Sequence, residues 1–125
     1  MIDHIKLVGT TDAAEAATIV APFPIHGILR AVEWIDGDLV DGVDAVLSFA
    51  SHSSGVTRTL LTLTDANDDT WKFPHEIAHD NAGAAVTLDG TNEMYVAPLI
   101  FGTLSLAIAN GGVTKMGGCI VYFEP

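Results

Sequence analysis

The chain is patterned as a series of short segments in which apolar and polar residues alternate. Between residues 103 and 108, Leu and Ile alternate with Thr, Ser and Ala, which is the two-residue period of a strand with one buried face. Residues 44–51 show the same period, with Leu47 and Phe49 on one face and Val46 and Ser48 on the other. The pattern predicts strands at 5–8, 27–35, 44–51, 57–64, 70–73, 95–97, 101–109 and 119–123, with residues 18–21 also extended.

Clusters of Gly, Asp and Asn separate these segments. Residues 65–69 and 110–112 each lie between two apolar runs, which predicts a hairpin at both places. The Ala-rich residues 12–17 predict one helical turn at most, and residues 75–90 are mostly loop. Because no amphipathic crossover helix is present, a parallel sheet is not expected. We therefore predict an all-β fold, a single domain over residues 1–125 that forms an antiparallel β-sandwich or jelly-roll-like domain of seven to eight short strands.

Composition limits the function before any motif is considered. The chain has 125 residues with a net charge of −11, and only 17% of its residues are charged. The charge opposes binding to nucleic acid phosphates or to anionic lipid. A single cysteine, Cys119, forms no internal disulfide and is expected to be a buried, inert thiol.

Two segments bear on targeting and membranes. The first 17 residues carry acids at Asp3, Asp12 and Glu15 and lack the basic and apolar regions of a signal peptide, so none is expected. Residues 94–114 are uncharged, but their strand-like alternation and several glycines argue against a transmembrane helix.

The residues 75–79 match the HExxH motif of zinc peptidases, with His75, Glu76 and His79 as the chemical groups. The motif functions on a helix, where a spacing of four places both imidazoles on one face and the Glu beside a metal-bound water. Here residues 80–83 end any helix at once, and Glu93 is the downstream carboxylate considered as a third ligand. A small zinc hydrolase is therefore retained only as an alternative.

A calcium-loop pattern overlaps that motif. Positions 1, 3, 5, 7 and 12 of the pattern are occupied by Asp65, Asn67, Asp69, Trp71 and Glu76. The sharp turn at position 6 requires Gly, whereas this chain has Thr70. Weak calcium binding by a hairpin tip stays open, against the simpler interpretation of a solvated turn.

The remaining candidates have ordinary structural explanations. A second acidic cluster on one loop consists of Asp36, Asp38, Asp41 and Asp44. Three histidines are isolated along the chain, namely His4, His26 and His52, and surface or core roles are expected for them. Trp34 and Trp71 are expected to be core or interface anchors, with a sugar-binding platform as the alternative.

Three stretches together resemble a known group of proteins. They read AVEWIDGDLVDGVDA at 31–45, GVTRTLLTLTDAND at 55–68 and PLIFGTLSLAIANGG at 98–112, followed by GGCIVYFE at 117–124. Their pattern of strands and turns resembles that of small β-sandwich capsid decoration or cement proteins of tailed bacteriophages.

The resemblance implies a virion structural protein that binds the outer surface of a phage head and stabilises it. It implies a homotrimer whose partner is the major capsid protein, made in the host bacterial cytoplasm and located on the capsid. It implies no catalytic residue, metal, cofactor, small-molecule substrate, nucleic acid or membrane. Outward apolar residues such as Leu60, Phe101 and Tyr122, and an edge strand at 5–8, are expected to serve association. The alternatives are a head–tail joining or tail protein, the zinc hydrolase, and a calcium- or carbohydrate-binding β module.

Overall fold

The fold was derived from a computed structural model, which describes all 125 residues and contains ten strands and no helix. The prediction of an all-β antiparallel fold is confirmed. The strands are β1 (Asp3–Thr10), β2 (Ala17–Val20), β3 (Ile25–Ile35), β4 (Asp44–Ser51), β5 (Thr57–Leu63), β6 (Thr70–Lys72), β7 (Glu76–Ile77), β8 (Tyr95–Val96), β9 (Leu99–Ala109) and β10 (Met116–Glu124).

Eight of these strands form two layers in the order of a jelly roll. The first layer is β1-β10-β3-β6 and the second is β2-β9-β4-β5. The layers are joined at one corner, where Ile25–Ile28 of β3 pair with Leu99–Gly102 of β9. Among consecutive strands of the two layers, only β4 and β5 pair as neighbours, and every other connection crosses from one layer to the other. Such crossing connections are typical of jelly rolls.

The core lies between the layers, because every second side chain of the strands points inward. In β4 the residues Ala45, Leu47 and Phe49 are buried, and in β9 the buried side chains include Leu104 and Leu106. This confirms the predicted inward face of residues 44–51. A cluster of 20 buried apolar residues results, and each fully buried Leu or Val contributes about 1.5–3 kcal/mol. The core therefore provides a rigid scaffold.

The two predicted hairpins are wrong. Residues 65–69 lead from β5 in the second layer to β6, which pairs with β3 in the first layer. Residues 110–112 likewise connect β9 to β10, which pairs with β1 and β3. In both cases the local sequence specifies a turn correctly, but the choice of strand partner depends on the layers rather than on the turn.

The predicted helical turn at residues 12–17 is also replaced. The side chain of Asp12 accepts hydrogen bonds from the backbone N–H groups of Ala14 (2.8 Å) and Ala16 (3.2 Å). This local turn competes with a helix, as Asp side chains commonly do.

No helix long and apolar enough to cross a membrane is present.

An excursion between β6 and β9, here called the arm (residues 75–96), stands apart from the core. Backbone hydrogen bonds join the parts of the arm around Ala78, Val86 and Met94. The N–H of Ala78 donates to the carbonyl of Met94 (2.8 Å), the N–H of Met94 to the carbonyl of Val86 (3.1 Å), and the N–H of Val86 to the carbonyl of Ala78 (2.8 Å). No residue between 64 and 97 is buried. The arm is therefore held by backbone hydrogen bonds and contributes little to stability through apolar burial.

Candidate functional site

The HExxH segment does not form a metal-binding helix. Glu76 lies in β7, and its carboxylate forms an ion pair with Arg58. The Nδ1 atom of His75 lies 2.5 Å from the carbonyl oxygen of Phe73. The backbone of His79 pairs with Ala85 in an isolated antiparallel β-bridge. In an extended segment, residues four apart are not stacked as they are on a helix. The geometry that a zinc peptidase requires is thus not formed here.

The calcium-loop residues connect the loop between β3 and β4 to the loop between β5 and β6. The Asn67 amide oxygen accepts a hydrogen bond from the Gly42 N–H (2.7 Å), and the Asp69 carboxylate accepts one from the Asp36 N–H (2.8 Å). Glu76, the last residue of the pattern, is paired with Arg58 instead. Nowhere do three or more His, Cys, Asp or Glu side chains form a group suited to a metal ion.

The two acidic clusters of the sequence meet at one end of the molecule, since these bonds join residues 36–44 to residues 65–69. The Asp44 carboxylate also accepts from the Asp65 N–H (3.1 Å) and from the Asn110 amide (3.0 Å). Burial, followed by the negative charges of Asp69 and two further Asp side chains, raises the pKa of the Asp36 carboxyl. The carboxylates therefore act mainly as acceptors that fix the loops, at some cost in mutual repulsion.

Cys119 and Trp34 lie inside the protein, as expected. Burial raises the pKa of the Cys119 thiol to about 12, which keeps it protonated and unreactive. The Trp34 indole is fully buried and donates from Nε1 to the Ala66 carbonyl (3.0 Å). Trp71 is exposed and stacks on Tyr122, whose hydroxyl donates to Glu33 (3.0 Å).

One exposed feature is an apolar run at residues 94–101, here called the apolar surface. Its exposed members are Met94, Tyr95, Val96, Leu99 and Phe101. Tyr95 is 59% exposed, Leu99 56% and Phe101 42%, although Ile100 between them is fully buried. An exposed apolar run of this kind is a candidate interaction surface. Of the outward residues predicted for association, Phe101 belongs to this surface, whereas Leu60 packs partly against the core.

The apolar surface continues across the corner between the layers. Ile28 lies opposite Leu99, and His26 lies opposite Phe101, in the pairing of β3 with β9. His52 follows β4 and donates its backbone N–H to the Phe101 carbonyl (2.9 Å). His26 and His52 lie at the surface as expected, but the fold brings them together, because their ring centroids are 5.5 Å apart and both contact Phe101. Residues so distant in sequence give no pattern from which this cluster could have been predicted.

A second exposed feature is an open groove of about 480 Å³ on the outer face of the first layer. Its lining includes Lys6 and Val8 of β1, Ile35 of β3 and Met116 of β10. Gly37 and Gly117, which have no side chains, also line the groove. It adds a further shallow and largely apolar region to the outside of the fold.

Comparisons of this chain with protein-family models, with curated proteins and with solved structures found no significant match.

Proposed function

We propose that this protein is a capsid decoration, or cement, protein that binds the outer surface of a tailed-phage head and stabilises it. The observation that carries the proposal is the apolar surface at residues 94–101, exposed on a chain with a net charge of −11. An adhesive protein of a particle needs such a surface on a rigid scaffold. The resemblance of residues 31–45, 55–68 and 98–112 to this group of proteins adds to the argument.

The architecture is compatible with the proposal. Jelly rolls are used by viral capsid domains as well as by lectins and cupins, so the fold alone favours no single function. The arm extends the apolar surface through Met94 and Tyr95 and contributes no buried residue. We infer that the arm and corner are covered by the major capsid protein and by neighbouring copies in a homotrimer.

The proposal is tested with the purified chain and with heads of the phage that carries its gene. Light scattering is expected to show a trimer, and the protein is expected to sediment with expanded, DNA-filled heads. The variant Leu99→Asp should weaken sedimentation at least tenfold, because it removes an apolar contact of about 1.5–3 kcal/mol and buries a charge.

The matched control is Val113→Asp, since Val113 is 54% exposed and lies outside the apolar surface. This variant should sediment with heads as the unmodified chain does. A monomer without affinity for heads would refute the proposal, and equal effects of Leu99→Asp and Val113→Asp would refute the assignment of the surface.

One observation favours a second candidate, a carbohydrate-binding module. Trp71 and Tyr122 stack with ring centroids 5.4 Å apart, and the Glu33 carboxylate lies beside them. An exposed Trp71 ring beside a half-buried Tyr122 and a carboxylate is a surface on which a sugar ring can pack. Binding on a glycan array that is lost in Trp71→Ala but kept in Leu99→Asp would favour this function over decoration.

A further inference from the structure

We propose that His26 and His52 together form a surface binding site for a divalent transition-metal ion of the class that prefers imidazole, such as Zn²⁺. The site lies at the corner between the two layers, on the side chains that flank Phe101. It is separate from the HExxH segment, and it does not depend on the proposed role in a virion.

The backbone brings the two imidazoles together from distant parts of the chain. His26 is paired with Phe101 across the β3–β9 ladder, and the His52 N–H donates to the carbonyl of the same Phe101. The two histidines therefore flank one residue of β9, on opposite sides. His26 is held in the ladder of β3 with β9, and His52 is held in its turn by the backbone bond to Phe101.

The separation of the rings fits a shared ion. With metal–nitrogen bonds of about 2.1 Å, two imidazoles on one tetrahedral ion have centroids roughly 5 Å apart. The centroids of His26 and His52 are 5.5 Å apart, with an angle of 82° between the ring planes. Both residues are exposed at the surface, so their side chains can rotate toward a common ion without displacing buried groups.

The surroundings favour a cation held by these two ligands and water. Imidazole suits Zn²⁺, Ni²⁺ and Cu²⁺, and the net charge of −11 attracts cations to the protein as a whole. Phe101 supports the His26 ring, with centroids 4.4 Å apart, and limits its freedom before the ion arrives. No third His, Cys, Asp or Glu joins the pair, so water completes the coordination.

The experiment is a calorimetric titration of zinc chloride into the full chain without an affinity tag, in a buffer that does not chelate metals. One ion per chain is expected. Each of His26→Gln and His52→Gln should lower the affinity at least tenfold, because a single imidazole remains. In spectra of ¹⁵N-labelled histidine, the ring signals of His26 and His52 should shift on zinc addition.

The matched control is the double variant His75→Gln/His79→Gln, which removes the pair in the HExxH segment and should bind zinc as the unmodified chain does. Loss of zinc binding in this control, an unchanged affinity in His26→Gln and His52→Gln, or no binding at a large excess of zinc would each overturn the proposal. The ring signals distinguish loss of a ligand from loss of the fold, since an unfolded variant would lose the dispersion of all its signals.

Discussion

Replacing Trp34 with Phe tests how far this core side chain holds the connection that runs from β5 in the second layer to β6 in the first. The Trp34 indole is fully buried in the first layer, and its Nε1–H donates to the carbonyl of Ala66, which lies on the connection from β5 to β6. The indole also borders a cavity of about 10 Å³ lined by eight apolar residues. A void of this size without polar partners stays dry, so this part of the core is already slightly underpacked.

The expected cost follows from two losses. The Ala66 carbonyl loses its donor, and for a half-buried group this costs about 1 kcal/mol. Phenyl is smaller than indole by roughly 40 Å³, and at about 24 cal/mol per Å³ of residual cavity the enlarged void adds about 1 kcal/mol. Trp34→Phe should therefore lower the free energy of unfolding by about 2 kcal/mol.

The measurement is guanidinium unfolding followed by the fluorescence of the remaining tryptophan. Trp71→Phe is the matched control, because Trp71 is exposed and its loss should cost less than about 0.5 kcal/mol. In each variant the other tryptophan reports unfolding. Equal costs in the two variants, or a cost of Trp34→Phe below about 0.5 kcal/mol, would refute the argument that this indole holds the crossing in place.

Three further outcomes are expected. The Cys119 thiol, with its pKa raised to about 12 by burial, should react with a disulfide reagent at pH 8 only after unfolding; rapid reaction of the native protein would contradict this. Because the pKa of Asp36 is raised in the fold, Asp36→Asn should stabilise at pH 7 by less than about 0.5 kcal/mol after solvent screening. That gain should disappear below the unfolded pKa, where the carboxyl is protonated in both states, and a gain that persists at pH 3 would exclude repulsion as its cause. Replacing residues 77–95 with Asn-Gly should shift the melting temperature by only a few degrees, since no residue between 64 and 97 is buried; loss of cooperative unfolding would show that the arm is part of the core.

The sequence predicts the strands of this fold well and their partners poorly. The alternation at residues 44–51 and 103–108 identifies the inward faces, because burial of every second side chain leaves a direct trace in the sequence. Strand pairing leaves no such local trace. The turn residues at 65–69 indicate where the chain bends, but β6 pairs with β3, more than thirty residues earlier.

The same limit applies to the candidate sites. The HExxH match at residues 75–79 is a local pattern, and it fails because the chemistry requires a helix while Glu76 lies in a strand. In contrast, His26 and His52 show no pattern at all, and they meet only because β3 and β4 both flank β9. The exposure of Leu99 and Phe101 was partly predictable, since they alternate with the buried Ile100.

The position of β10 affects how the first layer assembles during synthesis. This strand, the latest of the ten to leave the ribosome, lies between β1 and β3 and pairs with both of them. Until residues 116–124 emerge, β1 has no strand partner, and the edge of β3 that pairs with β10 stays open. A nascent chain without β10 therefore exposes unpaired strand edges, and such edges favour aggregation of incompletely folded chains.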